Sequence, residues 1–138
     1  MNEKGEMVVQ DVNEITKNII GCAYKVSNTL GIGFVEKVYE NALVHLLRKD
    51  GLKVVQQYPI KVSFEGMIVG DFIADLLIED RVLVELKAVS ALVNEHTAQA
   101  LNYLRASGLE ICLLINFGKS KVEIKRLLPS ISWKTAKS

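Results

Sequence analysis

Apolar residues recur every three to four positions along three segments of the chain, and this spacing predicts three amphipathic helices. The first helix begins after Asn13 or Asp11 and ends at Gly31, the second covers about 35 to 50, and the third covers about 92 to 106. The residues expected on the inner faces are Ile15, Ile19, Cys22, Ala23, Val26 and Leu30, then Val35, Tyr39, Ala42, Leu43, Leu46 and Leu47, then Val93, Thr97, Ala100, Leu101 and Leu104.

Five further segments are short and rich in Val, Ile and Leu, which is typical of β-strands. They cover residues 54–64, 68–78, 82–89, 110–117 and 122–128. Short turns join the first three, so we expect an antiparallel meander. Because several strands are apolar on both faces, helices should cover both faces of one sheet. The pattern predicts a single-domain α/β protein with a central mixed β-sheet flanked by helices, in the order ααβββαββ.

The composition fits one globular domain. Of the 138 residues, 49% are hydrophobic and 24% are charged, which suits a packed core rather than a disordered chain. We place this domain at residues 13–128, after a flexible N-terminus at 1–12 and before a C-terminal tail at 129–138. Trp133 could pack back from that tail. The net charge of +1 excludes a protein that coats nucleic acid by charge alone.

The remaining composition points to the cytoplasm. The N-terminus is polar and acidic, unlike a signal peptide. No apolar run reaches the ~18 residues that a membrane span needs, so we expect no membrane contact. Cys22 and Cys112 lie in apolar runs without a metal-binding motif, which favours buried thiols in a reducing compartment.

Carboxylates interrupt two of the apolar strands. Glu85 and Lys87 share one strand face, and Asp75 should share its face with Ile73 and Leu77. The opposite face of that second strand should then hold Phe72, Ala74, Leu76 and Ile78.

The two acids should meet across a hairpin. If the strands turn at Asp80, Asp75 and Glu85 are equidistant from the turn, within about 5 Å at Cβ. An ion pair between Lys87 and one acid would leave the other unpaired, whereas a divalent metal ion would account for all three side chains. The two strands alone leave both interpretations open.

Polar residues on the helices add candidates. Gln99 and Tyr103 lie one turn apart on the third helix and face the same way. His96 is more typical of a solvated helix edge. Glu36 lies at the margin of the apolar face of the second helix, and Glu40 could substitute for it.

These residues occur in a familiar order. Glu36, Asp75, Glu85-Leu-Lys87 and Gln99-x-x-x-Tyr103 together resemble the PD-(D/E)XK nuclease superfamily, and the last pair is similar to the QxxxY motif of its RecB-like branch. The stretch from Gly33 through Glu36 to Tyr39 resembles the motif of the GxxExxY protein family. The resemblance covers about residues 13 to 128. One departure is that Asp75 follows Ala74 where the superfamily motif has proline.

The resemblance implies a restriction-endonuclease-like core with its active site at the hairpin. Asp75 and Glu85 would bind Mg²⁺ or Mn²⁺, and Glu36 would complete the metal site directly or through water. Lys87 would position the attacking water and offset charge on the phosphorane.

Other residues would surround this centre. Gln99 and Tyr103 would shape the site and contact the nucleic-acid backbone. Tyr39 and Asn116 could also line the cleft, although a structural role explains them equally well.

The sequence therefore predicts a small metal-dependent nuclease that hydrolyses phosphodiester bonds, with DNA favoured over RNA. A non-catalytic nucleic-acid-binding module and a structural subunit on the same fold are the alternatives. The chain has little beyond the core, so we expect sequence specificity to come from a partner protein, from a homodimer, or to be absent.

Overall fold

A computed structural model describes residues 11–129, and their helices and strands follow the predicted order. The expected tail, including Trp133, lies outside the described residues from 130 onward, as does the expected N-terminus up to residue 10. The elements are α1 (Val12–Leu30), α2 (Glu36–Lys49), β1 (Val54–Phe64), β2 (Met67–Ile78), β3 (Val82–Lys87), α3 (Asn94–Ser107), β4 (Ile111–Asn116) and β5 (Glu123–Leu127).

The five strands form one mixed sheet in the order β1-β2-β3-β4-β5. Only β3 and β4 pair in parallel, and α3 connects them, as a parallel connection requires. The first three strands form the expected antiparallel meander. The predicted α/β class and the central mixed sheet are confirmed.

Two apolar layers sandwich the sheet, which explains why its central strands are buried on both faces. Helices α1 and α2 cover one layer, which includes Ile19, Leu43 and Leu86. Helix α3 covers the other, through Ala100 and Leu104. Both cysteines are buried and free. Among the described helices, none has the length and apolar character to cross a bilayer.

Two valines predicted on inner helix faces are exposed instead. Val35 is 71% exposed and Val93 is 47% exposed, because each is the extended N-cap residue before its helix begins. The third helix therefore begins at Asn94, and the Val93 backbone N–H donates to Nδ1 of His96 at 3.1 Å. His96 caps the helix, which is a structural role.

The expected alternation of faces along β2 is wrong. Phe72 contacts α3 and Ala74 packs in the α3 layer, whereas Leu76 and Ile78 pack against the opposite layer. The regular β1–β2 pairing skips Gln57, which lies opposite Asp75 and has a left-handed φ of 57°. This irregularity switches the faces of β2 at Asp75.

Candidate active site

The turn before α2 is fixed by its own backbone and by one buried tyrosine. Gly33 has φ 109°, a conformation that glycine adopts without steric cost. The hydroxyl of fully buried Tyr39 donates to the Gly31 carbonyl at 2.7 Å and accepts from the Phe34 N–H at 3.2 Å. These contacts fix where α2 begins, and its first residue is Glu36. The structure thus buries Tyr39 behind the turn, and its hydroxyl is engaged there.

The β2–β3 hairpin brings Asp75 and Glu85 together. Its pairing ends at Leu76 and Val84, and one further step along the same register places Asp75 opposite Glu85. There the side chains bond to the facing backbone. Glu85 Oε1 accepts from the Asp75 N–H at 2.9 Å, and Asp75 Oδ2 accepts from the Leu86 N–H at 2.7 Å. The two carboxylates therefore hold the hairpin open at this point.

Burial and mutual repulsion disfavour the charged forms of these acids. Glu85 is only 4% exposed, and desolvation followed by the Asp75 charge raises its pKa to about 8. Desolvation also raises the pKa of Asp75, against the hydrogen bond from Leu86. The surrounding protein therefore does little to offset the negative charges of Asp75 and Glu85.

Lys87 lies near these acids without pairing to them. It contributes a favourable charge interaction to Asp75 and to Glu85, yet none of the ion pairs within residues 11–129 includes it. The buried ion pair between Lys87 and a carboxylate, one of the two interpretations that the strands left open, is therefore not formed. Lys87 as a whole is partly buried.

Glu36 and Glu40 both lie on α2, and the charge of each acts on the acids beside it, Glu36 with Asp75 and Glu40 with both Asp75 and Glu36, but their hydrogen bonding differs. Glu36 is partly buried, and desolvation and the Asp75 charge raise its pKa. Glu40 is 3% exposed and accepts from Lys37 and from the side-chain amides of Gln56 and Gln57 at 2.8–3.2 Å. Hydrogen-bond donors already occupy the Glu40 carboxylate, so Glu36 is the better placed of the two for a ligand.

Gln99 and Tyr103 lie on the α3 side of the acids. The Gln99 amide donates to the Tyr103 hydroxyl at 3.2 Å. Desolvation and then the charges of Glu85 and Asp75 raise the pKa of Tyr103. Tyr103 is therefore close enough to feel the charges of the carboxylate pair, and Gln99, which is exposed, is hydrogen-bonded to it.

Asn116 fixes the chain just after Lys87 through its side-chain hydrogen bonds, and we call this arrangement the Asn116 clamp. Asn116 is fully buried, its Oδ1 accepts from the N–H groups of Val89 and Gly118, and its Nδ2 donates to the Val89 carbonyl at 2.9 Å. These bonds replace the pairing of Val89, so β3 ends at Lys87 rather than at the predicted residue 89. A Cβ at Gly118 would collide with the Val89 backbone.

The close packing of Gly118 against the Val89 backbone was not predicted from the sequence. Its only local sign is a glycine two residues after a buried asparagine at the end of a strand. The clamp fixes the chain just after Lys87, whose carbonyl accepts from the Phe117 N–H at 2.8 Å.

The acid pair suits a small hard cation. No group of three or more His, Cys, Asp or Glu side chains within residues 11–129 is arranged as a ready-made metal cage. Mg²⁺ does not require one, because it is usually held by one or two carboxylates and keeps several waters. Asp75 and Glu85 supply two oxygen donors whose repulsion a cation would relieve.

Solved structures share this fold. SSO0001 is 15% identical with a TM-score of 0.52 over 89% of this chain, which spans 62% of that protein. LHK-Exo, an alkaline exonuclease from Laribacter hongkongensis, is 13% identical with a TM-score of 0.54 over 94% of this chain and 76% of its own. Its complex with dAMP gives the same score and identity. At such identities the likeness shows the fold alone.

The sequence itself carries the family assignment. No curated protein matches the chain. The family model described as the PD-(D/E)XK nuclease superfamily matches residues 13–127, which is most of the chain and includes both carboxylate strands and α3. The chain belongs to the PD-(D/E)XK nuclease superfamily.

Proposed function

We propose that this protein is a metal-dependent nuclease that hydrolyses phosphodiester bonds, with DNA as the favoured substrate. Membership of the superfamily supports a nuclease-type function and a nucleic-acid substrate. One observation carries the proposal further. A buried carboxylate, Glu85, and a partly buried one, Asp75, face each other on adjacent strands, and no ion pair within residues 11–129 includes either of them or Lys87, which lies two residues from Glu85. A fold gains nothing from that arrangement alone.

The acids are assigned to cation binding. Asp75 and Glu85, with Glu36 directly or through water, would hold Mg²⁺ or Mn²⁺. When bound, such an ion acts as a Lewis acid and generates a hydroxide nucleophile from water. Superfamily members generally use divalent ions, which supports this assignment.

The remaining residues act on the phosphate. Lys87 offsets the negative charge that develops on the phosphoryl oxygens, and no ion pair among residues 11–129 holds it elsewhere. Gln99 and Tyr103 offer an amide and a hydroxyl to the nucleic-acid backbone from the α3 side. The clamp at Asn116 positions the strand end that carries Lys87.

We further assign the chain to the GxxExxY branch of the superfamily. The three residues that define its motif act on the same turn, because Gly33 makes the turn, Tyr39 ties it down, and Glu36 begins the helix beside the acids. The favoured DNA substrate is consistent with the dAMP complex of the alkaline exonuclease that shares the fold.

A cleavage assay tests the proposal. Single- and double-stranded DNA and RNA are incubated with Mg²⁺, Mn²⁺ or chelator. We expect divalent-dependent cleavage that Asp75→Ala abolishes together with metal binding, whereas Lys87→Ala abolishes cleavage and leaves metal binding intact. If no nucleic acid is cleaved with any metal, and Lys87→Ala binds nucleic acid as well as the wild type, a non-catalytic binding module replaces the nuclease.

A further inference from the structure

An open groove runs between α3 and the outer half of the β1–β2 hairpin, beside the carboxylate pair. Its volume is about 1390 Å³. Its walls include the aromatic residues Phe64, Phe72 and Tyr103 and the cations Lys61 and Arg105. The proposed nuclease site uses this groove only at its inner end, at Gln99 and Tyr103.

The aromatic rings of the groove are unusually exposed. Phe64 is 65% exposed and Phe72 is 44% exposed. The Phe72 ring lies 5.5 Å from that of Tyr103 and is tilted by 38°. A Cβ at Gly70 would lie 3.0 Å from the Phe72 ring, so the glycine leaves room for the ring beside the strand. Such exposed rings on a rigid sheet form a platform on which flat groups can stack.

Arg105 lies in the groove wall with unused hydrogen-bonding capacity. Its Nε is buried without a hydrogen-bond partner, and no ion pair within residues 11–129 includes its guanidinium group. Buried donors are normally satisfied, so an unpartnered one indicates a missing acceptor. A phosphate is an acceptor that matches the planar guanidinium group.

The groove leads to the acids through Tyr103. This residue forms part of the groove wall, and the charges of Glu85 and Asp75 also act on it. Gln99 belongs to the same wall and donates to the Tyr103 hydroxyl. The inner end of the groove, at Gln99 and Tyr103, is thus the part nearest the acids.

We propose that this groove binds a single-stranded segment of nucleic acid, with bases stacked on Phe72 and Phe64 and a phosphate held by Arg105. Stacking on aromatic side chains needs unpaired bases, because a duplex hides their faces, and it is tolerant of sequence. The effect on cleavage rests on the proposed nuclease function, whereas the binding itself does not. The groove thus assigns single strands, or single-stranded ends, as the preferred substrate class.

Binding is measured first, in chelator, where no cleavage occurs. The probe is a fluorescent twelve-residue oligothymidine, compared by anisotropy with a duplex of the same length. We expect the single strand to bind more tightly, and Phe72→Ala and Arg105→Ala to weaken it by about 5- to 100-fold. Tyr24→Ala, which alters a 38% exposed aromatic residue on α1, is the matched control and should change nothing.

Phe72→Leu guards against misfolding. It keeps an apolar side chain against Tyr103 but lacks a ring, so it should fold like the wild type in a thermal melt and still bind the oligonucleotide weakly. Equal binding of single strand and duplex by the wild type would overturn the proposal. So would full single-strand affinity in Phe72→Leu.

A small substrate separates this proposal from the nuclease assignment. Bis(p-nitrophenyl) phosphate is too short to occupy the groove, so Phe72→Leu should lose far less kcat/KM with Mn²⁺ on this substrate than on the oligonucleotide. The same variant should lose kcat/KM on the oligonucleotide. If the wild type hydrolyses neither substrate but binding still depends on Phe72, the nuclease assignment fails and the groove stands. If the wild type and Phe72→Leu cleave the oligonucleotide equally, the groove fails and the nuclease stands.

Discussion

Glu40 and Glu85 are both almost fully buried, yet the protein treats them in opposite ways. Glu40 is 3% exposed and receives hydrogen bonds from Lys37, Gln56 and Gln57. Glu85 is 4% exposed, receives one backbone hydrogen bond from Asp75, and faces the Asp75 carboxylate. A nearby lysine pairs with the first glutamate, whereas the lysine nearest the second has no ion-pair partner among the described residues.

The difference separates a carboxylate that supports the fold from one that is kept for a ligand. A buried charge is costly unless donors surround it, and Glu40 has those donors. Glu85 has one such donor, the Asp75 N–H, which supports our proposal that a cation and a phosphate complete the site. Substitutions at the two glutamates and at their nearest lysines should therefore have unlike effects on activity, pH dependence, metal response and stability.

The two lysines should differ most in activity. We expect Lys87→Ala to lower kcat for DNA cleavage by about 10³-fold, because it removes a cation that acts on the developing phosphoryl charge. Lys37→Ala, the matched control, should keep more of the rate, since Lys37 pairs with Glu40 and reaches Asp75 and Glu36 only through its charge. Steady-state cleavage rates with Mn²⁺ measure both. Similar losses in the two variants would end the distinction between these lysines.

The pH dependence of stability should come mainly from Glu85 and from the acids near it. The folded pKa of Glu85 is raised from 4.5 to about 8, so between these values the folded state keeps a proton that the unfolded state has released. The free energy of unfolding in chelator should therefore fall as pH rises through this window, by on the order of 3 kcal/mol. The raised pKa values of Asp75 and Glu36 act in the same direction.

Urea unfolding at several pH values measures this effect. Glu85→Gln should remove most of the dependence of the free energy of unfolding on pH, because it removes the titrating group and keeps the shape of the side chain. A flat profile for the wild type would show that Glu85 is compensated after all.

Stabilisation by a metal ion should depend on Glu85 and not on Glu40. Mn²⁺ at a hundredfold excess over its Kd should stabilise the wild type by about 2.7 kcal/mol, since it binds only the folded state. Glu85→Gln should gain much less, whereas Glu40→Gln should gain as much as the wild type. Thermal melts with Mn²⁺ and with chelator measure the gain. An equal gain in stability in both variants would show that the cation does not bind at Glu85.

The substitutions Glu40→Gln and Glu85→Gln should differ in their effect on stability without metal. Glu40→Gln turns an amide toward the amides of Gln56 and Gln57 and should destabilise the fold by about 1–2 kcal/mol. Glu85→Gln removes a repulsive charge and should be neutral or stabilising at pH 7. Denaturant midpoints in chelator compare them directly. Strong destabilisation by Glu85→Gln would identify it as a structural residue.

The hairpin at the centre of the site could be predicted from the sequence because it is local. Asp75 lies five positions before Asp80 and Glu85 lies five positions after it, and this symmetry about one turn determines the observed register. The helix order and the mixed sheet also follow from apolar periodicity. These features depend on near neighbours, which patterns report well.

The contacts that position the site are not local, and periodicity does not report them. Gln57 lies opposite Asp75 with a left-handed backbone, and the amide that it donates to Glu40 comes from a different element. The closeness of Gly118 to Val89 likewise depends on how β3 and β4 end in space. The face switch of β2 and the engagement of Glu40 follow from such tertiary contacts.

The last strand is tied directly to the first helix. Arg126 donates to Asn13 at 2.6 Å and to Thr16 at 3.1 Å, across more than a hundred residues of sequence. Closing a loop of that length costs about 2 kcal/mol more than closing a ten-residue hairpin. We therefore expect the β2–β3 hairpin to form early during folding and the α1–β5 closure to form late. A nascent chain would then carry its charged hairpin before α1 is fastened over the sheet.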